Sequence, residues 1–211
     1  MILKQIISGP FEANNYLVID ENAKKAVLID ASGSFDKIKS ELDVYNATLE
    51  KVLLTHAHID HIAGCYEIQQ KLGAKVFINE EDMFLVQNLK QQLQMFGLHP
   101  TQEPNIDGFL KDEDIIEVGT LKIKVIHTKG HSKGGSCFLI EDKLFSGDTL
   151  FLGSVGRTDL PGGDYKELET SITQKIFTLD GDLTIYPGHG PATTLEREKL
   201  ENPFFGQRPI A

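Results

Sequence analysis

Four apolar runs in this sequence each end in a turn that carries histidine or aspartate, and this limits the fold more than any other feature. Val52-Leu53-Leu54 runs into Thr55-His56-Ala57-His58-Ile59-Asp60-His61. Leu121–Ile126 leads to Thr128-Lys129-Gly130-His131, and Lys143-Leu144-Phe145 leads to Ser146-Gly147-Asp148-Thr149. Leu183–Tyr186 leads to Pro187-Gly188-His189-Gly190-Pro191. Short apolar runs bounded by glycine or proline read as buried strands. Glycine lets the backbone turn sharply and come close to a ligand. A fold that uses these residues together has to bring all four strand ends to one edge.

The other segments fit that demand. Ile2–Ile7 and Tyr16–Asp20 read as strands around a Gly9-Pro10 turn, and Ala26–Asp30 as a third. Phe35–Val44 has helical spacing at Phe35, Ile38 and Leu42. The pattern predicts a strand over Lys51–Thr55, one helix over Asp60–Leu72 stopped by Gly73, a strand over Lys75–Ile78 and a helix over Glu80–Leu89. Asn88–Gly108 reads as an irregular surface segment or lid. Further strands are expected at Ile115–Val118, Leu121–Thr128, Ser136–Ile140 and Lys143–Phe145. Helices are expected over Tyr165–Thr178, with Asp164 as N-cap, and over Thr194–Glu201. The result is an α/β chain of two sheets flanked by helices, expected to form one domain over residues 1–211.

A chain of 211 residues buries roughly 70% of its unfolded surface, so it needs no disulfide or structural metal to fold. Its formal charge is −10, from 31 acidic and 21 basic residues. That charge repels phosphate backbones and argues against a nucleic-acid partner, leaving a small molecule as the expected one. Cys65 and Cys137 sit among apolar or small residues and read as buried hydrophobes, with a bridge between them as the lesser alternative. Residues 1–10 lack a basic stretch followed by a long apolar one, and no run approaches the ~18 apolar residues of a membrane span. The expectation is a cytoplasmic protein with no membrane contact; no oligomeric state follows from the sequence.

The seven histidines are His56, His58, His61, His99, His127, His131 and His189. His56 and His58 are two apart, so in extended backbone they point the same way and can grip one ion. Asp60 and His61, adjacent at a helix start, can face a second. Imidazole suits zinc or iron, and carboxylate oxygen tolerates most divalent ions. The rival interpretation makes Asp60 a helix N-cap among surface histidines. His131, Asp148 and His189 taken singly would be turn residues; beside the first cluster they become candidate ligands. His127, at a strand end, is expected to be structural, and His99 to lie on the surface or at a substrate entrance.

The motif His56-x-His58-x-Asp60-His61, with the later His131, Asp148 and His189, resembles the metallo-β-lactamase superfamily. Gly147–Phe151, Ser154–Asp164, Pro187–Pro191 and Asn202-Pro203-Phe204 are similar to short bacterial glyoxalase II-like hydrolases, the hydroxyacylglutathione hydrolase type. The resemblance spans nearly the whole chain. It implies a four-layer αββα sandwich with the site at one edge. It also implies two divalent metal ions, zinc first with iron or manganese as alternatives. His56, His58 and His131 would hold one, and Asp60, His61 and His189 the other. Asp148 would bridge them, and Asp60 and Asp148 are the carboxylates expected to act in catalysis. Arg157 stands where related enzymes carry a basic residue for the substrate's carboxylate; a guanidinium fork suits that task. Its alternative role is a loop-anchoring ion pair with Asp159 or Asp164. Only Thr194–Ala211 follows the last motif, so the family's helical glutathione-binding domain is not expected here.

The reaction implied is hydrolysis of a thioester such as S-lactoylglutathione, by a metal-activated water. Thiolate leaves readily, so no serine or cysteine nucleophile is needed. The chief rival is a persulfide dioxygenase, similar through Gly156-Arg157-Thr158-Asp159, which would use one iron on His56, His131 and Asp148. A lactonase of the same fold is a second rival.

Overall fold

The computed structural model describes residues 1–99 and 101–208. The first sheet holds, in spatial and chain order, β1 (Ile2–Ser8), β2 (Ala13–Asp20), β3 (Lys25–Ile29), β4 (Thr48–Leu53), β5 (Lys75–Asn79) and β6 (Gly108–Leu110). Its first three strands are antiparallel, and β3 to β6 run parallel. The second sheet begins with an antiparallel meander of β7 (Ile115–Val118), β8 (Leu121–His127), β9 (Ser136–Ile140) and β10 (Lys143–Gly147). A small hairpin follows, β11 (Leu150–Phe151) with β12 (Ser154–Val155). Then β13 (Thr184–Pro187) returns parallel to β10, and β14 (Thr193–Thr194) closes that edge.

Side-chain alternation sorts each strand between layers. In β2, Leu17 and Ile19 face the helices while Tyr16 and Val18 face the other sheet. Phe138, Ile140 and Phe145 meet Val18, Val27 and Ile29 between the sheets. Outside the first sheet pack α1 (Phe35–Tyr45), α2 (Ile59–Ile62), α3 (Cys65–Leu72), α4 (Met83–Gln87) and α5 (Leu89–Met95), through Ile38, Leu42, Ile62, Ile68, Leu85 and Leu89. Outside the second pack α6 (Tyr165–Ser171) and α7 (Leu195–Glu201), through Leu168 and Leu195. Three apolar cores thus separate four layers, the αββα sandwich expected from the sequence.

Local departures have physical causes. The helix expected over Asp60–Leu72 is two helices, because Gly64 donates to Ala31 O at 2.8 Å. A Cβ on Gly64 would stand 2.4 Å from Gly33 N, so only glycine allows that approach. The irregular segment Asn88–Gly108 contains α5, whose Leu89 and Leu93 are buried at i, i+4 beneath a polar glutamine face. Asp164 caps α6 by accepting from Glu167 N at 2.9 Å, and that helix ends in a π-helical turn over Ile172–Ile176. Cys65 and Cys137 are free thiols in separate cores, so they form no bridge. Among the described residues, no helix is long and apolar enough to cross a membrane.

Candidate metal centre

Parallel pairing of β3 with β4, and of β10 with β13, brings their C-terminal ends side by side. The two sheets are tied there by Tyr16 Oη donating to Pro187 O at 2.7 Å and Asn14 N donating to Gly188 O at 2.7 Å. The turns after β4, β8, β10 and β13 therefore empty into one place. All seven residues singled out in the sequence meet there. His56, His58 and His131 form one set of mutually close donor atoms, Asp60, His61 and His189 another, and His56, His61 and Asp148 a third between them, each set within 4.8 Å. Asp60 is not a helix cap: α2 begins after His58 with no side-chain cap.

Hydrogen bonds fix which nitrogen each imidazole turns inward. His131 Nδ1 donates to Arg157 O at 2.8 Å, and His189 Nδ1 to Phe11 O at 3.0 Å. His61 Nδ1 donates to Asp30 Oδ2 at 2.8 Å. Thr55 Oγ1 gives its proton to Asp30 Oδ2 at 2.8 Å, so it accepts from His56 Nδ1 at 3.0 Å. The Nε2 lone pairs of these four rings consequently face the interior. His58 is turned the other way, with Nδ1 inward.

This geometry suits bound cations. His131 Nε2 lies 3.2 Å from His56 Nε2, lone pair against lone pair, and 2.8 Å from His58 Nδ1. Tetrahedral ligands at ~2.05 Å from an ion sit ~3.3 Å apart, close to that spacing. Asp148 presents Oδ1 3.4 Å from His61 Nε2 and Oδ2 3.5 Å from His131 Nε2. Its Oδ1 is buried without a hydrogen-bond partner, as is His58 Nε2. Gly188 leaves the necessary space, since a Cβ there would stand 2.2 Å from Asp148 Oδ1 and 2.7 Å from His61 Cε1. Nitrogen and carboxylate donors in this number fit zinc, iron or manganese.

The electrostatics agree. Burial, with His61 and His131 nearby, holds His56 well below the usual histidine range, and burial with His131 brings His58 down to about 3. Both are in the neutral, ligating form. Burial would lower His61 too, but the carboxylates of Asp148, Asp30 and Asp60 outweigh it and push that ring up to about 10. Burial opposes ionisation of Asp60, yet His189 and His61 hold its carboxyl below the usual range. The carboxylates of the site therefore attract positive charge.

Two residues that the sequence did not single out organise the centre. Asp30, at the end of β3, accepts from Thr55 N at 2.7 Å as well as from His61 and Thr55 Oγ1. Asp82 is fully buried and accepts from Ala57 N at 3.1 Å, Ser132 Oγ at 2.8 Å and Gly134 N at 2.7 Å. It ties the His56–His58 turn to the His131 turn. Of the remaining candidates, His127 is structural, its Nε2 donating to Lys133 O at 2.9 Å, and His99 is exposed. Arg157 is exposed at the rim, with Nε and Nη2 each 2.7 Å from an oxygen of Asp159, the loop-anchoring alternative. A cleft of about 470 Å³ opens over the centre, walled by Phe11, Leu85, Phe96, Phe151 and Leu160.

Comparison with known proteins agrees with this geometry. Residues 8–189 match the metallo-β-lactamase superfamily. Hydroxyacylglutathione hydrolase GloC of Haemophilus influenzae is 36% identical over 207 residues, covering 94% of this chain and 95% of that protein. Among solved structures, the BLEG-1 B3 metallo-β-lactamase superposes with a TM-score of 0.88 at 35% identity, over 96% of this chain and 99% of that one. TTHA1623 in a di-iron-bound form gives 0.85 at 32% identity, over 96% and 100%. ETHE1 from Myxococcus xanthus gives 0.80 at 29%, over 96% and 84%. The αββα layers, the four strand ends converging on a histidine–aspartate cluster and the match over residues 8–189 lead to one conclusion: the chain is a metallo-hydrolase and belongs to the metallo-β-lactamase superfamily.

Proposed function

We propose that this protein is a thioester hydrolase that works with two divalent metal ions, on small substrates of the S-lactoylglutathione type. The observation that carries the proposal is the position of Asp148, whose two oxygens face His61 on one side and His131 on the other. A carboxylate placed that way serves two adjoining ligand sets better than one. The likeness to hydroxyacylglutathione hydrolase GloC supports the substrate class, and the likeness to TTHA1623 in its di-iron form supports the pair of ions.

Two bound ions would supply Lewis acidity, bringing a water toward ionisation near neutral pH and polarising the acyl carbonyl. The chain's own residues set the stage for that chemistry. Asp30, Phe11 O, Arg157 O and Thr55 hold four imidazoles in the ligating tautomer. Asp60 and Asp148 are the carboxylates lining the cleft, and they would help hold the ions that activate the water. A departing thiolate needs no acid, and none of the lining residues is an obvious one. The formal charge of −10 favours a small-molecule substrate over nucleic acid, and two unbridged thiols suit the cytoplasm.

The test is hydrolysis of S-lactoylglutathione by metal-loaded protein, with oxygen uptake on glutathione persulfide followed in parallel. Thioester turnover without oxygen uptake is expected. Oxygen uptake with the thioester left intact would replace this function with a dioxygenase.

A further inference from the structure

The cleft over the metal centre has a composition that narrows the substrate. Its far wall is built by two aromatic rings from distant segments. Phe11, from the turn between β1 and β2, meets Phe96, just after α5, edge to face with ring centroids 5.2 Å apart. Neither ring is packed away: Phe11 is 37% and Phe96 47% exposed, and Met95 beside them is 79% exposed. Apolar surface left open at the mouth of a reactive site is covered when substrate binds.

The polar groups of the lining are largely engaged. Gln92 Oε1 accepts from Ile59 N at 3.1 Å, and its Nε2 donates to Leu85 O at 2.9 Å and Ala57 O at 3.2 Å. Arg157, the one lysine or arginine among the described lining residues, gives its Nε–Nη2 edge to Asp159 and keeps its Nη1 edge open. The other polar lining residues, His58, Asp60, His131, Asp148 and His189, all belong to the metal centre. Glutathione carries two carboxylates and an ammonium, and this lining offers its carboxylates only the outer edge of one exposed guanidinium that already pairs with Asp159. A buried charge without a partner is costly, whereas an alkyl arm against Phe11 and Phe96 gains from leaving water.

We infer that the Phe11–Phe96 wall selects thioesters with an uncharged, apolar arm over glutathione thioesters. This rests on the thioester proposal and departs from it on the thiol half: S-lactoylglutathione is turned over, but less efficiently than thioesters with an apolar arm. The wall is also joined to the metal centre, because Phe11 O is the acceptor that orients His189.

The test separates the two layers of the proposal. Binding is measured on metal-loaded protein with two thioethers that cannot be hydrolysed, N-acetyl-S-hexylcysteamine and S-hexylglutathione. Turnover is measured on N-acetylcysteamine thioesters lengthened first on the acyl side and then on the thiol side. The uncharged thioether should bind at least tenfold more tightly than S-hexylglutathione. Lengthening whichever arm lies along the wall should raise kcat/KM about fourfold per methylene until the cleft is filled. Phe96→Ser, a half-exposed position that the fold tolerates, should flatten that slope and weaken the uncharged thioether at least fivefold. Equal or tighter binding of S-hexylglutathione, or slopes that Phe96→Ser and Phe11→Ser leave intact, would overturn the inference. If the uncharged thioether binds as expected but no thioester is turned over, the apolar wall stands and the thioester reaction falls.

Discussion

Replacing Asp82 by alanine removes a buried carboxylate from between two ligand-bearing turns and leaves Ala57 N–H, Gly134 N–H and the Ser132 hydroxyl to find new partners. Each backbone donor stranded in the interior costs about 1–3 kcal/mol, and the hydroxyl can rotate to another acceptor. Against this, burial itself disfavours the carboxylate, which is why its pKa is raised despite three donors. The balance is a loss of about 3 kcal/mol, or roughly 6–12 °C in Tm for a chain of this size. Asp82→Asn should lose about half as much. Its oxygen can keep Ala57 N and Ser132 Oγ, but its NH₂ then opposes Gly134 N–H. Because the tie joins the His58 turn to the His131 turn, metal affinity should fall about 10- to 100-fold as well. Thermal unfolding with a chelator present reads the first effect, and competition with a coloured chelator reads the second. A Tm for Asp82→Ala within about 2 °C of wild type, with unchanged metal affinity, would refute the account of Asp82 as the link between the two turns.

Three further outcomes follow from particular contacts. Gly188→Ala should lose bound metal and nearly all turnover while keeping its far-ultraviolet circular dichroism, because the new Cβ would stand 2.2 Å from Asp148 Oδ1; elemental analysis reads this directly. Asp159→Ser should release the Arg157 fork and lower KM several-fold for S-lactoylglutathione but not for an uncharged thioester, which steady-state kinetics on the two substrates will show. Asp20 is held below the usual carboxylate range by Thr120, Ala23 and Asn22. Its folded pKa is depressed, so its contribution is present above the unfolded value of about 3.9 and lost as pH falls below it. Asp20→Asn should therefore lower Tm at pH 7 and leave a shallower fall in Tm between about pH 4 and pH 2.

The ligand cluster was legible because ligand-type residues stood at the ends of apolar runs, and strand ends meet in a layered fold. Two sheets flanked by helices were legible from the order of strands and helices, and the four-layer stacking from the family resemblance. Asp30 left only a weak signal, a carboxylate closing an otherwise apolar strand. Asp82 left none: in Glu80-Glu81-Asp82 it looks like one of three solvated acids, yet its neighbours are exposed and it alone is buried. What distinguishes it are Ser132 and Gly134, some 50 residues away, and only the fold brings those together. The Phe11–Phe96 wall joins segments 85 residues apart by the same logic, and neither phenylalanine belongs to a periodic run. The break between α2 and α3 was hidden because its cause, the approach of Gly64 to Gly33, is tertiary.

The central claim, that these seven residues serve two ions and hydrolyse thioesters, is tested most directly by adding zinc to metal-free protein while thioester hydrolysis is followed. Hydrolysis should climb mainly between the first and second equivalent per chain and level off at two, and Asp148→Ala should show no such rise. Full activity at one equivalent would contradict the pairing of ions around Asp148.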